Sequence, residues 1–346
     1  MHTAEDPPAA KFKTSIHGWI KADNVDNANL PRSPSVQPGA KPSLKHVDFA
    51  SEVHIPVPKS SSKRAVKLVD GITAGKKRGR VLHLFSGPSN GTDGIGALLR
   101  IRGQECDDYD CKENNCPEQD ITRDDVWLPL LQKIKQGYYD AIVTGPPCET
   151  FSHARAVQPG PRPLRSFSKP YGLPKADLYP EEWEQLRIGN LLALRNAEAC
   201  KAIHDIGGAF LIENPREWDE SPSIWLLDEY KELAKLPGVK DLVIDQCGFG
   251  AASQKPTRLR YARMQLDVAA YTCRHPKQKF WDRYDKPYWS SHERLVGRKD
   301  ASGRWATKAA AAWPGKLNDI FVSVIVHAGP LVTGRASSGS FSKDWQ

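Results

Sequence analysis

Tyr139-Asp140-Ala141-Ile142-Val143-Thr144-Gly145-Pro146-Pro147-Cys148-Glu149-Thr150-Phe151-Ser152 is the stretch on which the fold turns. Its first five residues are a short, mostly apolar run that ends at a threonine, a glycine and two prolines. Such a run, bounded by turn residues, reads as a strand buried on both faces. The prolines fix φ and remove backbone donors, so the chain leaves the strand along a set path and presents Cys148 at a rigid edge. A thiol held there can attack an electrophilic carbon. A buried structural cysteine is the ordinary reading of a single thiol, but the segment that follows this one is polar, basic and proline-rich.

Outward from this strand the pattern repeats. Val81-Leu82-His83-Leu84-Phe85 is a second run, stopped by Ser86-Gly87, and residues 92–102 have helical spacing. Residues 188–206 form another helical pattern, closed by Gly207-Gly208 before the strand Ala209-Phe210-Leu211-Ile212. A helix over 223–235 and a strand at Asp241-Leu242-Val243-Ile244 follow. Strands alternating with helices predict an α/β fold: a mostly parallel sheet with helices on both faces. Ligands of such sheets bind beyond the carboxyl ends of the strands.

Three further segments lie at or near such ends. Phe85-Ser86-Gly87-Pro88-Ser89-Asn90-Gly91 is a glycine-bearing turn into a helix, of a kind that lets a ligand approach the backbone. Glu213-Asn214-Pro215 follows a strand directly, where a carboxyl group can meet a ring nitrogen; helix capping by Asn214 and exposure of Glu213 is the plainer alternative. In Gln254-Lys255-Pro256-Thr257-Arg258-Leu259-Arg260, a strand over 257–261 puts Arg258 and Arg260 on one face, able to converge on a site or to form a surface ladder.

Taken in order, these segments resemble the DNA cytosine-5 methyltransferase family, over about residues 81–260. The resemblance implies a Rossmann-like S-adenosylmethionine-dependent methyltransferase fold with a small C-terminal recognition region. Gly145-Pro146-Pro147-Cys148 is the most specific match, and it implies Cys148 as nucleophile. Glu213, Arg258 and Arg260 take the family's other catalytic positions. Phe85, Ser86, Gly87, Gly91, Asp107 or Asp108, Asp120, Ile121, Gly145 and Pro146 take cofactor positions and Gln254 the family's glutamine position at the nucleic acid; Ser152, Arg155 and Arg165, at the basic segment after Cys148, are read as phosphate contacts. Departures are Pro88-Ser89-Asn90 before Gly91, Glu149 where glutamine is usual, Pro215 for valine, and a longer gap from Gln254 to Arg258. Trp313-Pro314-Gly315-Lys316-Leu317 stands where the family's last motif carries Gly-Asn. These leave open an inactive nucleic-acid-binding relative and an RNA cytosine-5 methyltransferase.

The charge agrees with a polyanionic partner. The net charge is +8 over 346 residues, and residues 1–80 hold fourteen Lys and Arg against seven Asp and Glu. In the near-neutral remainder, residues 153–176 hold five basic residues and no acidic one, and 255–294 hold ten against four. Duplex DNA with a flipped cytosine is the expected partner, RNA the alternative. Residues 1–78 read as a disordered basic Pro/Ser-rich tail, 79–262 as the catalytic domain, 263–312 as a target-recognition region, 313–330 as a helix packing back, and 331–346 as a flexible tail. Lys76-Lys77-Arg78-Gly79-Arg80 reads as a nuclear import signal, a phosphate contact or a solvated hinge. No secretory pattern or long apolar run occurs, so an intracellular monomer is expected, nuclear in a eukaryotic host, with its seven cysteines reduced. Cys273, His275 and His292 suggest zinc, but three donors at an unfamiliar spacing do not make a site, and no metal is expected.

Overall fold

The computed structural model describes residues 79–88, 91–156, 161–282, 284–295 and 305–328. The two expected tails, 1–78 and 331–346, lie outside these residues, as do Ser89 and Asn90 of the first turn. Six strands form the central sheet: β1 (Arg80–Leu84), β2 (Glu105–Tyr109), β3 (Ala141–Thr144), β4 (Ala209–Pro215), β5 (Val239–Asp245) and β6 (Pro256–Ala262). Their order is β2-β1-β3-β4-β6-β5. The first four are parallel, whereas β6 runs antiparallel to both β4 and β5. The fold is therefore mixed α/β with a mostly parallel sheet and one reversed strand.

Alternation along each strand sends side chains to two cores. Leu82, Leu84, Ile142, Phe210 and Ile212 face helices α2 (Asp124–Lys135), α3 (Pro180–Asp205) and α4 (Asp228–Lys235). Val81, Val143, Leu211 and Leu259 face α1 (Ile95–Ile101) and α5 (Gly315–Ala328). Each large side chain buried this way contributes about 1.5–3 kcal/mol. Leu317, Phe321 and Val322 bring α5 back onto the sheet.

Two helices differ from their sequence outlines. α3 begins at Pro180, eight residues before the expected start, because proline suits the first helical position and the Glu182 carboxylate accepts from the Tyr179 N–H (3.0 Å). The helix expected over 223–235 is split. Ser223 Oγ accepts from Trp225 N–H (3.3 Å) and caps a 3₁₀ turn, Ile224–Leu226, before α4 starts at Asp228. Beyond β6, a two-stranded antiparallel hairpin joins β7 (Gln278–Trp281) to β8 (Pro287–Ser290). Among the described residues no helix is long and apolar enough to cross a membrane.

Candidate active site

The carboxyl ends of β3 and β4 meet in one buried arrangement. Asn214 Nδ2 donates to the Pro146 carbonyl at 2.8 Å, so the end of β4 holds the loop that carries Cys148. Thr144 Oγ1 donates to Asn196 Oδ1 on α3 at 2.6 Å and pins the strand end from the other side. Gly145 is required by close approach: a Cβ there would lie 2.8 Å from the Trp313 ring and 3.6 Å from Glu213 Oε2. Trp313 thus closes over the loop from the segment before α5.

Glu213 is 5% exposed, and its contacts define the site. Gln246 Nε2, just beyond β5, donates to Glu213 Oε1 at 3.0 Å and lies 3.0 Å from Thr257 Oγ1. Lys255 Nζ stands 3.7 Å from the same Oε1 and also donates to the Ala311 carbonyl at 3.3 Å. Oε2 is the atom turned toward Gly145. Cys148 is half-buried. Burial pushes its thiol up to about 11; the Glu213 carboxylate pushes the same way, and the Lys255 ammonium opposes both. Cys148, Glu213 and Lys255 thus share one electrostatic environment.

Arg258 and Arg260 are not brought to this cluster. In the β4–β6 register Glu213 stands opposite Leu259, whereas the two arginines stand opposite Asn214 and Ile212 and so project from the other face. Arg260 is 3% exposed, forms a bidentate pair with Asp241 (both contacts 2.7 Å), donates to the Tyr230 carbonyl, and stacks on Trp225. Arg258 pairs with Glu217 at 2.8 Å and Asp241 at 3.3 Å. They tie β6 to β5 and α4. Gln254 is half-buried and takes no part in holding Glu213; Gln246 does that.

Of the expected nucleic-acid contacts, Arg165 is 2% exposed. It donates to Thr150 Oγ1, the Pro170 carbonyl and Asn190 Oδ1 and lies over the Phe151 ring, which fixes the segment after Cys148 against α3. Burial and neighbouring Arg155 lower its pKa to about 9. A guanidinium so enclosed is a structural clamp and does not reach a phosphate. Arg155 is half-buried and bonds the Arg162 carbonyl (2.8 Å) and Gln185 Oε1 (3.1 Å). Ser152 Oγ accepts from Ala154 N–H at 3.2 Å and remains half-exposed.

The expected cofactor residues divide in the same way. Phe85 and Gly87 adopt left-handed backbone (φ 57° and 68°), and Gly87 N–H donates to Asp110 Oδ2 at 3.0 Å. A small cleft beside this turn is lined by Ser86, Gly91, Gly94 and Gly96 together with His83 and Asp108. Asp107 and Asp108 lie within β2, not beyond its end. Asp107 accepts from Tyr139 Oη at 2.7 Å. Burial opposes the charge on Asp108, yet bonds with His83 and Arg100 hold its carboxyl below the usual range. The carboxylate at the strand edge is Asp110. Asp120 Oδ1 accepts from both Thr122 N–H (3.0 Å) and Oγ1 (2.6 Å), and Ile121 belongs to the core. Pro146 is held by Asn214 as described.

Gln246 and Lys255 contact Glu213, and Asp110 contacts the turn after β1, none of which was expected from the sequence. Gln246 stands just beyond the strand expected at 241–244, so its signal was present, whereas no strand was expected at 105–109 and Asp110 had none.

No family model matches the chain. No curated protein matches it in sequence. Among solved structures, a protein of an E. coli prophage described as a DNA modification methyltransferase is similar at 16% identity, covering 53% of this chain and 45% of that one with a TM-score of 0.28. The chain spans less than half the length of that protein, and a likeness of this size assigns nothing to it.

Proposed function

We propose that the protein transfers a methyl group to carbon 5 of cytosine in DNA, with Cys148 as covalent nucleophile and Glu213 as partner of the ring. The observation that carries this reading is the pairing at adjacent strand ends: a half-buried thiol on a proline-fixed loop, held by Asn214 in the electrostatic range of a buried carboxylate. Carbon 5 of cytosine is a poor nucleophile. When the Cys148 sulfur loses its proton and bonds to carbon 6, the ring's π pair moves toward carbon 5 and nitrogen 3, and a carboxyl group at nitrogen 3 stabilises the charge that develops. With its pKa near 11, the free thiol is protonated at neutral pH, so the thiolate must form as substrate enters and Lys255 is the cation placed to favour it.

The residues present fit the methyl donor implied by the resemblance. The turn after β1 has a left-handed glycine, and three more glycines border the small cleft beside it, so few side chains stand between a ligand and the backbone there. Phe85, Ser86, Gly87 and Gly91 would hold S-adenosylmethionine, with Asp110 at the edge of β2. When bound it supplies an electrophilic methyl group for the activated carbon. On this reading residues 79–262 are the catalytic part, 263–312 present a recognition surface, and the working unit is one chain inside the cell. The target carbon is hidden in a duplex, so the cytosine must be flipped out.

The test is transfer of labelled methyl to duplex DNA, and to RNA in parallel, with trapping on a 5-fluorocytosine oligonucleotide. A trapped adduct with DNA that is lost in Cys148→Ser is the expected result. A folded protein that binds DNA without forming the adduct would instead be a binding protein, and transfer confined to RNA would reassign the substrate.

A further inference from the structure

The described residues hold a second cluster of chemically reactive side chains that the methyl-transfer reading does not use. Cys247 Sγ, Cys273 Sγ and the ring nitrogens of His275 and His292 all lie within 4.8 Å of one another. Cys273 Sγ is 3.3 Å from His275 Nδ1 and 3.5 Å from His292 Nε2, and the two nitrogens are 3.2 Å apart. A tetrahedron with metal–sulfur bonds of about 2.3 Å and metal–nitrogen bonds of about 2.0–2.1 Å has S···N edges of about 3.5 Å and N···N edges of about 3.4 Å. The three separations among Cys273, His275 and His292 lie close to those edges. The fourth donor, Cys247, comes from the turn after β5, 26 residues before Cys273. That distance along the chain hid it from a reading by spacing.

We propose that these four residues bind one zinc ion, which fastens the β7–β8 hairpin to the end of β5. Four protein ligands fill the coordination sphere, so the site is structural and has no open position for substrate. Binding displaces the two thiol protons, and two thiolates neutralise the metal's charge. The surroundings also hold the donors in place. Asp245 Oδ2 accepts from Cys273 N–H at 2.7 Å, Asp245 N–H donates to the Tyr271 carbonyl at 3.0 Å, and the His292 ring bonds to the Ala252 backbone. Such contacts orient ligands in metal sites.

The hairpin gives the ion a purpose. β7 and β8 contain no buried residue, and Trp281, Tyr284 and Trp289 are 57%, 64% and 66% exposed. A two-stranded hairpin without a buried face is marginal by itself. Cys273 and His275 stand before it and His292 after it, so a metal joining them to Cys247 closes its base onto the central sheet.

This inference does not depend on the proposed methyl transfer. The full untagged chain, purified under reducing conditions, is expected to contain about one zinc ion per molecule by elemental analysis. Replacement with cobalt(II) is expected to give the intense visible bands of tetrahedral coordination and a sulfur-to-metal charge-transfer band. Cys247→Ser and Cys273→Ser are each expected to lower zinc affinity by about 100-fold or more, whereas Cys148→Ser leaves it unchanged. Chelator is expected to open residues 278–290 to protease. Wild-type protein without metal, a Cys247–Cys273 disulfide in its place, or zinc content untouched by either serine variant would overturn the proposal, and the wild-type measurements decide it even if a variant fails to fold.

Discussion

The strand ends at β3 and β4 and the body of β6 both place polar groups inside a buried sheet, but for different ends. At the strand ends, Asn214 spends its amide on the Pro146 carbonyl, and the Glu213 carboxylate acts on Cys148 through its charge. In β6, Arg258 and Arg260 face away and pair with Glu217, Asp241 and the Tyr230 carbonyl. The difference is one of parity along a strand: neighbours one residue apart serve opposite faces. Polar residues in a sheet are assigned by which face they take, and the motif they belong to comes second.

The sharpest way to break this contrast compares Cys148→Ser with Arg260→Met. The first is expected to reduce methyl transfer by about 10⁴-fold or more with the melting temperature unchanged. The second is expected to cost about 1–3 kcal/mol of stability in denaturant unfolding, because it leaves the Tyr230 carbonyl without its donor and Asp241 with Arg258 alone, while the rate per folded molecule is kept. A stable Arg260→Met protein without activity would put that arginine in the chemistry.

Glu213→Gln follows in size. Transfer is expected to fall by about 10²–10³-fold. Alkylation of Cys148 by iodoacetamide at pH 8 should nevertheless rise, since the carboxylate that holds the thiol's pKa up is gone. Slower alkylation would separate the two groups. In the wild type the alkylation rate is expected to climb about tenfold per pH unit above neutrality and to level off near pH 11, not near the ordinary thiol value. Asn214→Ala leaves the buried Pro146 carbonyl without its donor and should cost about 1–3 kcal/mol. Lys255→Met is the smallest, with a few-fold slower alkylation expected because the opposing cation is lost.

Sequence revealed most clearly those features set by local pattern. The runs at 81–85, 139–143 and 209–212 gave strands within a few residues, and the Gly-Pro-Pro turn placed Cys148, because apolar period and proline geometry act over short distances. The site's inner shell was less legible. Gln246 reaches Glu213 only because reversed β6 lies between β4 and β5, and Lys255 reaches it only through the turn entering β6. Arg165 read as a phosphate contact because its neighbours are basic; only the packing of Phe151 and α3 shows that it is enclosed. Cys247 was invisible as a donor for the same reason, its partners being distant in the chain.

Gln246 and Cys247 are joined by a single peptide bond, yet the first supports Glu213 and the second belongs to the four-donor cluster. The turn Gln246–Phe249 therefore has no freedom of length: inserting or deleting one residue would rotate one of the two side chains out of its place. Among the described residues at the hairpin tip, Asp282, Asp285 and Lys286 belong to neither group. Variation in length among relatives of this chain should gather there and spare the turn.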